Sequence, residues 1–234
     1  MKTTGNTIFI SGGSAGIGLA IAKKLNAEGN KIIINGRNEE RLQNALQQLN
    51  NAVAIQGDLS VEADRVRVAE NLKNNHPEVN VIINNAGAAF AYLLNETQNA
   101  HEKAAIEMNT NYFSVIHFTE LLLPHLVQKK EAAVINISSI AVFGSHKMLP
   151  TYGATKAALH SYTLALRQTY EEQHNVQIYE VYPPLVNTDF SAEIGGANGI
   201  PPSEVADELF LALEKNQFDV PVGDSKQFFA KDLV

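Results

Sequence analysis

The chain has 234 residues, a length that suits one α/β domain. Hydrophobic residues make up 45% and charged residues 18%, which excludes a disordered chain, and a net charge of −7 with no basic stripe argues against a nucleic-acid partner. Cysteine is absent, so disulfides, a thiolate nucleophile and soft-metal sites are excluded, in keeping with a reducing compartment.

Short β-branched runs alternate with amphipathic helical stretches. Thr7-Ile8-Phe9-Ile10 reads as a buried strand that runs into the glycine turn Gly12-Gly13-Ser14-Ala15-Gly16-Ile17-Gly18. Between Ile17 and Glu28, Ile17, Ile21 and Leu25 share one helical face, and Gly29-Asn30 stops the helix. Lys31 to Asn35 holds Ile32-Ile33-Ile34 without alternation, the pattern of a strand covered on both faces. Asn38 is placed to cap a helix carrying Leu42, Ala45, Leu46 and Leu49. Ala52 to Gln56 is a third strand, and Ser60 is placed to cap a helix with Glu62 and Ala63 in its first turn. Val81 to Asn84 is a fourth strand. A long helical region is predicted from Asn99 to Val127, kinked or ended near Pro124. Ala133 to Ile137 is a fifth strand, Tyr152 to His174 a long helix, and Gln177 to Val181 a sixth strand closed by Pro183-Pro184. Ser203 to Lys215 is a helix and Asp219 to Val222 a short last strand.

This order predicts a single α/β domain over residues 1–234: a parallel sheet, helices on both faces, right-handed crossovers, and a ligand crevice at the carboxyl ends of the strands. Ser191 to Pro202, rich in Gly, Ala and Asn, follows the sixth strand at that edge, and a mobile lid and an ordinary connecting loop fit it equally. The apolar run from Met1 to Ser11 is too short for a signal peptide, and no stretch approaches the length of a membrane span. A cytoplasmic location without a membrane partner is therefore expected.

Gly12, Gly16 and Gly18 stand between a strand and a helix, where glycine lets a dinucleotide pyrophosphate approach backbone N–H groups at the helix N-terminus. At the end of the second strand an acidic residue would bond a ribose 2′-hydroxyl, but this chain has Asn35-Gly36-Arg37. Arg37 can pair with a 2′-phosphate through its planar fork, so NADP(H) is expected ahead of NAD(H).

Tyr152 and Lys156 stand at i and i+4 and share a helix face. A free phenol is a poor acid/base at neutral pH, and a neighbouring ammonium favours its ionised form. Ser139, at the end of the fifth strand, can bond a substrate carbonyl oxygen, and Asn84-Asn85-Ala86-Gly87 closes the fourth strand at the same edge. The absence of G-x-S-x-G weakens an acyl-transfer reading, and His117 and His125 lack neighbouring ligands, so no metal is expected.

In these ordered motifs the chain resembles the short-chain dehydrogenase/reductase family over essentially its whole length. They are the glycine turn, Asp58 after the third strand, Asn84-Asn85-Ala86-Gly87, Ser139 thirteen residues before Tyr152, Tyr152-Gly153-Ala154-Thr155-Lys156, and Pro183 to Thr188. The resemblance implies a Rossmann-type doubly wound sheet in the order 3-2-1-4-5-6-7. It implies Tyr152 as acid/base, Lys156 as the ribose-binding group that depresses the tyrosine pKa, and Ser139 as the holder of the carbonyl. Asn109 in Met108-Asn109-Thr110-Asn111 is matched to a helix asparagine that supports a proton relay, with Asn111 as the near alternative. Cofactor contacts are implied for Gly12, Ser14, Gly16, Ile17, Gly18, Arg37, Asp58, Leu59, Asn85, Ala86, Gly87, Tyr152, Lys156, Pro183, Val186 and Thr188.

Two departures from the family pattern are Ser11, where threonine is usual, and Pro184, which replaces a glycine and lacks an N–H. Within the family the chain is similar to the bacterial DltE-like oxidoreductases. The implied activity is hydride transfer between NAD(P) and a carbonyl or secondary alcohol. A catalytically idle dinucleotide sensor or scaffold is the rival, which an intact Ser/Tyr/Lys/Asn set disfavours. Phe143, Met148, Leu149, Leu185 and Phe190, with His146 and Lys147, suggest a small, moderately hydrophobic substrate. The apolar helix faces and the resemblance suggest a homodimer or homotetramer.

Overall fold

Isoleucine and valine fill both faces of the central strands, so those strands bury completely and must be sandwiched between helices. The computed structural model, which describes residues 1–173 and 175–229, has this arrangement. Strands β1 (Thr7–Ser11), β2 (Lys31–Gly36), β3 (Ala52–Gln56), β4 (Val81–Asn84), β5 (Ala132–Ile137), β6 (Val176–Tyr182) and β7 (Asp219–Pro221) form one sheet in the order β3-β2-β1-β4-β5-β6-β7. Every neighbouring pair is parallel. The helices are α1 (Gly16–Ala27), α2 (Glu39–Leu46), α3 (Glu62–Asn75), α4 (Ala100–Met108), α5 (Ser114–Leu126), α6 (Tyr152–Tyr170), α7 (Pro202–Lys215) and the short α8 (Lys226–Phe229).

The period of two along each strand divides the core. Ile8, Ile10, Ile32, Ile34 and Ile83 face one side with Ile21 and Leu25 of α1 and Leu209 and Leu213 of α7. Phe9, Ile33, Ile82 and Val134 face the other, against Val68 and Leu72 of α3 and Phe118 and Leu122 of α5. Each apolar side chain so enclosed contributes about 1.5–3 kcal/mol relative to exposure.

Several boundaries are set by side chains that spacing alone did not rank. Asn38 does cap α2, accepting from the Arg41 N–H at 2.9 Å. Ser60 does not cap α3, whose N-cap is Val61. Instead Asp58 closes a local turn, its Oδ1 accepting from the Ser60 N–H at 2.9 Å and the Ser60 hydroxyl at 2.7 Å. An aspartate carboxylate bonding its own chain two residues on makes a local turn, and it engages both Ser60 donors. The region predicted as helical from Asn99 to Val127 divides into α4, a π-helical turn at Asn109–Phe113, and α5, and Pro124 lies inside the last turn of α5. The helix predicted from Tyr152 to His174 is α-helical to Tyr170 and continues as a tight turn at Glu171–Gln173; His174 lies outside the described residues.

A polar seam fixes α6 over the sheet. Asn84 and Asn136 are register partners on β4 and β5, and the Asn84 amide donates to Asn136 Oδ1 at 2.8 Å and to the Thr119 hydroxyl at 3.2 Å. The Asn136 amide donates to the Thr163 hydroxyl of α6 at 2.9 Å, and Asn136 is fully buried. Asn136→Ala removes both bonds and leaves a void, and is expected to destabilise the fold by about 2 kcal/mol. A urea-unfolding comparison with the unsubstituted protein checks this.

Candidate active site

The turn after β1 is locked before any ligand arrives. Gly12 and Gly16 have φ of +63° and +53°, conformations that side chains with a Cβ resist. A Cβ on Gly18 would fall 2.4 Å from the Gly12 carbonyl oxygen, so the turn and the start of α1 are packed backbone to backbone. Asn85 ties the turn to β4, its amide donating to the Ser11 carbonyl at 2.9 Å and the Gly12 carbonyl at 3.2 Å. The Ser11 hydroxyl accepts from the Asn85 and Ala86 N–H groups at 2.9 and 3.0 Å.

The first turn of α1 has no side-chain cap on its N-cap residue Ala15 and no acidic residue, unlike α2. Its N–H groups and positive dipole end therefore fit a dinucleotide pyrophosphate. Ser14, Gly16 and Thr188 line a groove alongside.

At the end of β2, Arg37 is well exposed and lies 3.8 Å from the Asp58 carboxylate. Arg41, which the motif reading did not single out, projects from α2 and lies 3.5 Å from Asp189, beyond β6. Two guanidinium groups thus stand in the stretch that follows β2. Leu59 is buried, its carbonyl accepting from Arg65 at 2.8 Å.

Ser139, Tyr152 and Lys156 come together at the carboxyl end of β5. Tyr152 is 7% exposed and Lys156 5%. The Lys156 ammonium donates to the Ile137 carbonyl at 2.8 Å and lies 5.7 Å from the Tyr152 ring centroid. Ser139 begins a short turn, its Oγ accepting from the Ala141 N–H at 3.1 Å. Burial raises the Tyr152 pKa above the ordinary phenol range; the adjacent Ser139 hydroxyl offsets part of this and the Glu107 carboxylate adds to it. The spacing of Tyr152 and Lys156 suggested the opposite sign, but desolvation is the largest influence on the phenol in this closed site. Burial pushes Lys156 down to about 8, with the Glu180 carboxylate acting against the fall.

The helix asparagine needs correction. The Asn109 amide donates to the Ser60 carbonyl at 3.0 Å, away from Tyr152. Asn111 is 1% exposed and faces the site: its amide donates to the Ala88 carbonyl at 2.8 Å and the Thr155 hydroxyl at 2.9 Å, and its Oδ1 accepts from the Ala88 N–H at 2.8 Å. Residues two apart on a helix point to nearly opposite sides. Asn111 is in phase with Val115, Phe118 and Leu122 of the buried stripe, which is the signal that distinguishes it.

Glu107 shares that phase. It is fully buried; Oε1 accepts from the Phe90 N–H at 2.8 Å and Oε2 from the Thr151 hydroxyl at 2.6 Å. Tyr92 and Thr151 join hydroxyls at 2.7 Å, so this carboxylate binds the loop after β4 to the residue preceding Tyr152.

The segment after β6 closes the far side. The Pro183 carbonyl accepts from the Ile140 N–H at 2.9 Å, Val186 bridges to Ile200, and Thr188 rests against Gly16. Phe190 stands with its ring centroid 6.0 Å from that of Tyr152. Phe228 and Phe229 of α8 pack on Phe143 with ring centroids 5.1 and 5.3 Å away. Elsewhere His117 Nδ1 accepts from Arg65 at 3.1 Å, and His125 lies 3.2 Å from the Val79 carbonyl.

A sequence model of the family described as short chain dehydrogenase matches residues 6–198. The chain is 36% identical over 211 residues to the uncharacterized oxidoreductase DltE of Bacillus subtilis (strain 168), covering 90% of this chain and 83% of that protein. A short chain dehydrogenase from Burkholderia cenocepacia J2315, solved in complex with NADP, superimposes with a TM-score of 0.87 at 23% identity, over 98% of this chain and 93% of that one. A short chain dehydrogenase/reductase from Burkholderia phymatum, solved in complex with NAD, gives a TM-score of 0.88 at 20% identity, over 94% and 90%. The likeness to these two structures is one of fold.

Gly18→Ala tests the turn directly. The added methyl forces the Gly12 carbonyl away, so affinity for NADPH should fall at least ~10-fold, with a loss of about 1–3 kcal/mol of stability. Fluorescence titration and a thermal melt read the two effects.

Proposed function

The chain belongs to the short-chain dehydrogenase/reductase family, within its DltE-like subgroup, and from that premise we propose that it is an NAD(P)-dependent oxidoreductase acting on a carbonyl or secondary alcohol, with Tyr152 as the acid/base. The observation that carries this reading is the convergence of a buried Tyr152, the Ser139 hydroxyl and the buried Lys156 ammonium at the carboxyl end of β5. A bound dinucleotide supplies the hydride.

The chain's own residues do the rest. Gly12, Ser14, Gly16, Ile17 and Gly18 hold the pyrophosphate at the start of α1, and Asp58 and Leu59 border the adenine. Asn85, Ala86, Gly87, Pro183, Val186 and Thr188 border the nicotinamide half. Ser139 donates to the substrate carbonyl oxygen. Tyr152, held protonated by burial, is in the form needed to protonate an alkoxide as it develops. Lys156 then stabilises the phenolate and binds the ribose, so desolvation and charge act on opposite halves of one proton transfer.

Arg37 and Arg41 favour NADP(H) over NAD(H), since both can pair with a 2′-phosphate. Phe190 over Tyr152, with Phe143, Met148, Leu149 and Leu185 near the crevice, supports a small, moderately hydrophobic substrate. Residues 191–202 would act as its lid, with Asp189 to Arg41 as one closing contact. Exposed Ile106, Phe113 and Leu164 on the α4 to α6 side support a homodimer or homotetramer. Among the described residues no helix is long and apolar enough to cross a membrane.

Oxidation of NADPH, and separately of NADH, across a panel of ketones and aldehydes tests the activity and the cofactor preference. Tyr152→Phe should reduce turnover ~10²–10⁴-fold while leaving the cofactor dissociation constant unchanged. Turnover that survives this substitution would remove Tyr152 from the chemistry.

A further inference from the structure

Behind the Tyr152/Lys156 pair lies a buried carboxylate to which the proposed reaction assigns no role. Strand register sets Asn84, Asn136, Glu180 and Asp219 side by side across β4, β5, β6 and β7. Over this row α6 lays Lys156, His160, Thr163 and Arg167, which share one helical stripe. Glu180 has no solvent exposure. Its Oε2 accepts from His160 Nδ1 at 2.9 Å, while its Oε1 has no hydrogen-bond partner among the described residues. The Ser138 hydroxyl, near the end of β5, is likewise buried without a partner among them.

A half-satisfied carboxylate in a closed interior is costly unless a cation compensates it. The charged and titratable groups that face it are Lys156, His160 and Arg167 from α6, Tyr182 from β6 and Asp219 from β7. Arg167 is engaged by Asp219 through two bonds of 3.0 and 3.1 Å. The Tyr182 hydroxyl donates to Asp219 at 2.9 Å and lies 3.3 Å from His160 Nδ1. Lys156 and His160 are the cations left to answer Glu180. Its charge supports the Lys156 ammonium against burial, and its hydrogen bond holds His160 above the ordinary imidazole range.

We propose that Glu180 is a positioning residue, the buried counterion that keeps Lys156 an ammonium, and that His160 sets how much of that charge Lys156 feels. The proposal rests on the reading of Lys156 as a working ammonium. With His160 protonated, the Glu180/His160 pair is neutral overall. As pH rises, the partly exposed ring releases its Nε2 proton to solvent, Nδ1–H stays on Glu180, and the pair becomes a net negative charge. That charge reaches Lys156 over the range in which burial would otherwise strip its proton. The device therefore extends the ammonium into mildly alkaline solution.

The test is an NMR titration of the full chain carrying ¹³Cε-lysine, without cofactor or substrate, with the Lys156 resonance identified by its loss in Lys156→Arg. The unsubstituted protein should show a transition near pH 8 and a smaller inflection where the His160 ring titrates. Glu180→Gln keeps the shape and removes the charge, so the Lys156 midpoint should fall by about one unit and the inflection should vanish. Glu180→Asp should restore both. An unchanged midpoint in folded Glu180→Gln overturns the proposal. Should that variant not fold by circular dichroism, His160→Gln decides: its amide still donates to Glu180 but cannot titrate, so the inflection should disappear, and its persistence overturns the proposal. Because no turnover is read, an inactive enzyme and a misassigned counterion give different results.

Discussion

The site depends on how α6 lies across the polar end of an otherwise apolar sheet. Apolar residues, chiefly Ile, occupy the middles of β1, β2, β4 and β5, but Asn84, Asn136, Glu180 and Asp219 form one cross-strand row. Buried polar groups need directed partners, and α6 supplies them with Thr163, His160 and Arg167. Hydrogen bonds are directional where apolar contact is not, so this row fixes the helix in rotation and translation. Lys156 and Tyr152, one and two turns upstream of His160, are thereby carried to the end of β5, where Ser139 stands.

The second constraint is close backbone approach at the first turn. Gly12 and Gly18 bring two stretches of main chain within contact, and Asn85 fastens them to β4. The two halves of the site are consequently joined through β4. On one side its exit loop bonds Ser11, and on the other it bonds Asn111 and Glu107. A preorganised site of this kind loses little entropy when a ligand settles, because its loops are already hydrogen-bonded.

The electrostatics follow from enclosure. Burial moves the phenol and the ammonium in opposite directions, each toward its neutral form. Ser139 and Glu180 act against those shifts, one beside each group. The pair is therefore held by its surroundings as well as by its spacing on the helix. An isolated tyrosine and lysine four residues apart on a wet surface would behave quite differently.

Sequence alone determined the strand and helix order, the parallel sheet, the glycine turn and the convergence of Ser139, Tyr152 and Lys156. These rest on local periodicity and on spacing within single elements, which a linear chain carries directly. It also contained two clues that composition hid: Glu107 and Asn111 share the phase of the buried stripe through α4 and α5, and Glu180 is a charge in a strand covered on both faces. Tertiary structure settled how that phase is used, because the π-helical turn and the neighbouring loops bring the Asn111 amide to Thr155 and leave the Asn109 amide on the Ser60 carbonyl. It alone decided that Asp58 rather than Ser60 organises the start of α3, that Phe228 and Phe229 reach Phe143, and that the Tyr152 pKa moves up. Each of these depends on which groups from distant parts of the chain exclude water from one another, and that is a property of packing, which spacing along the chain does not encode.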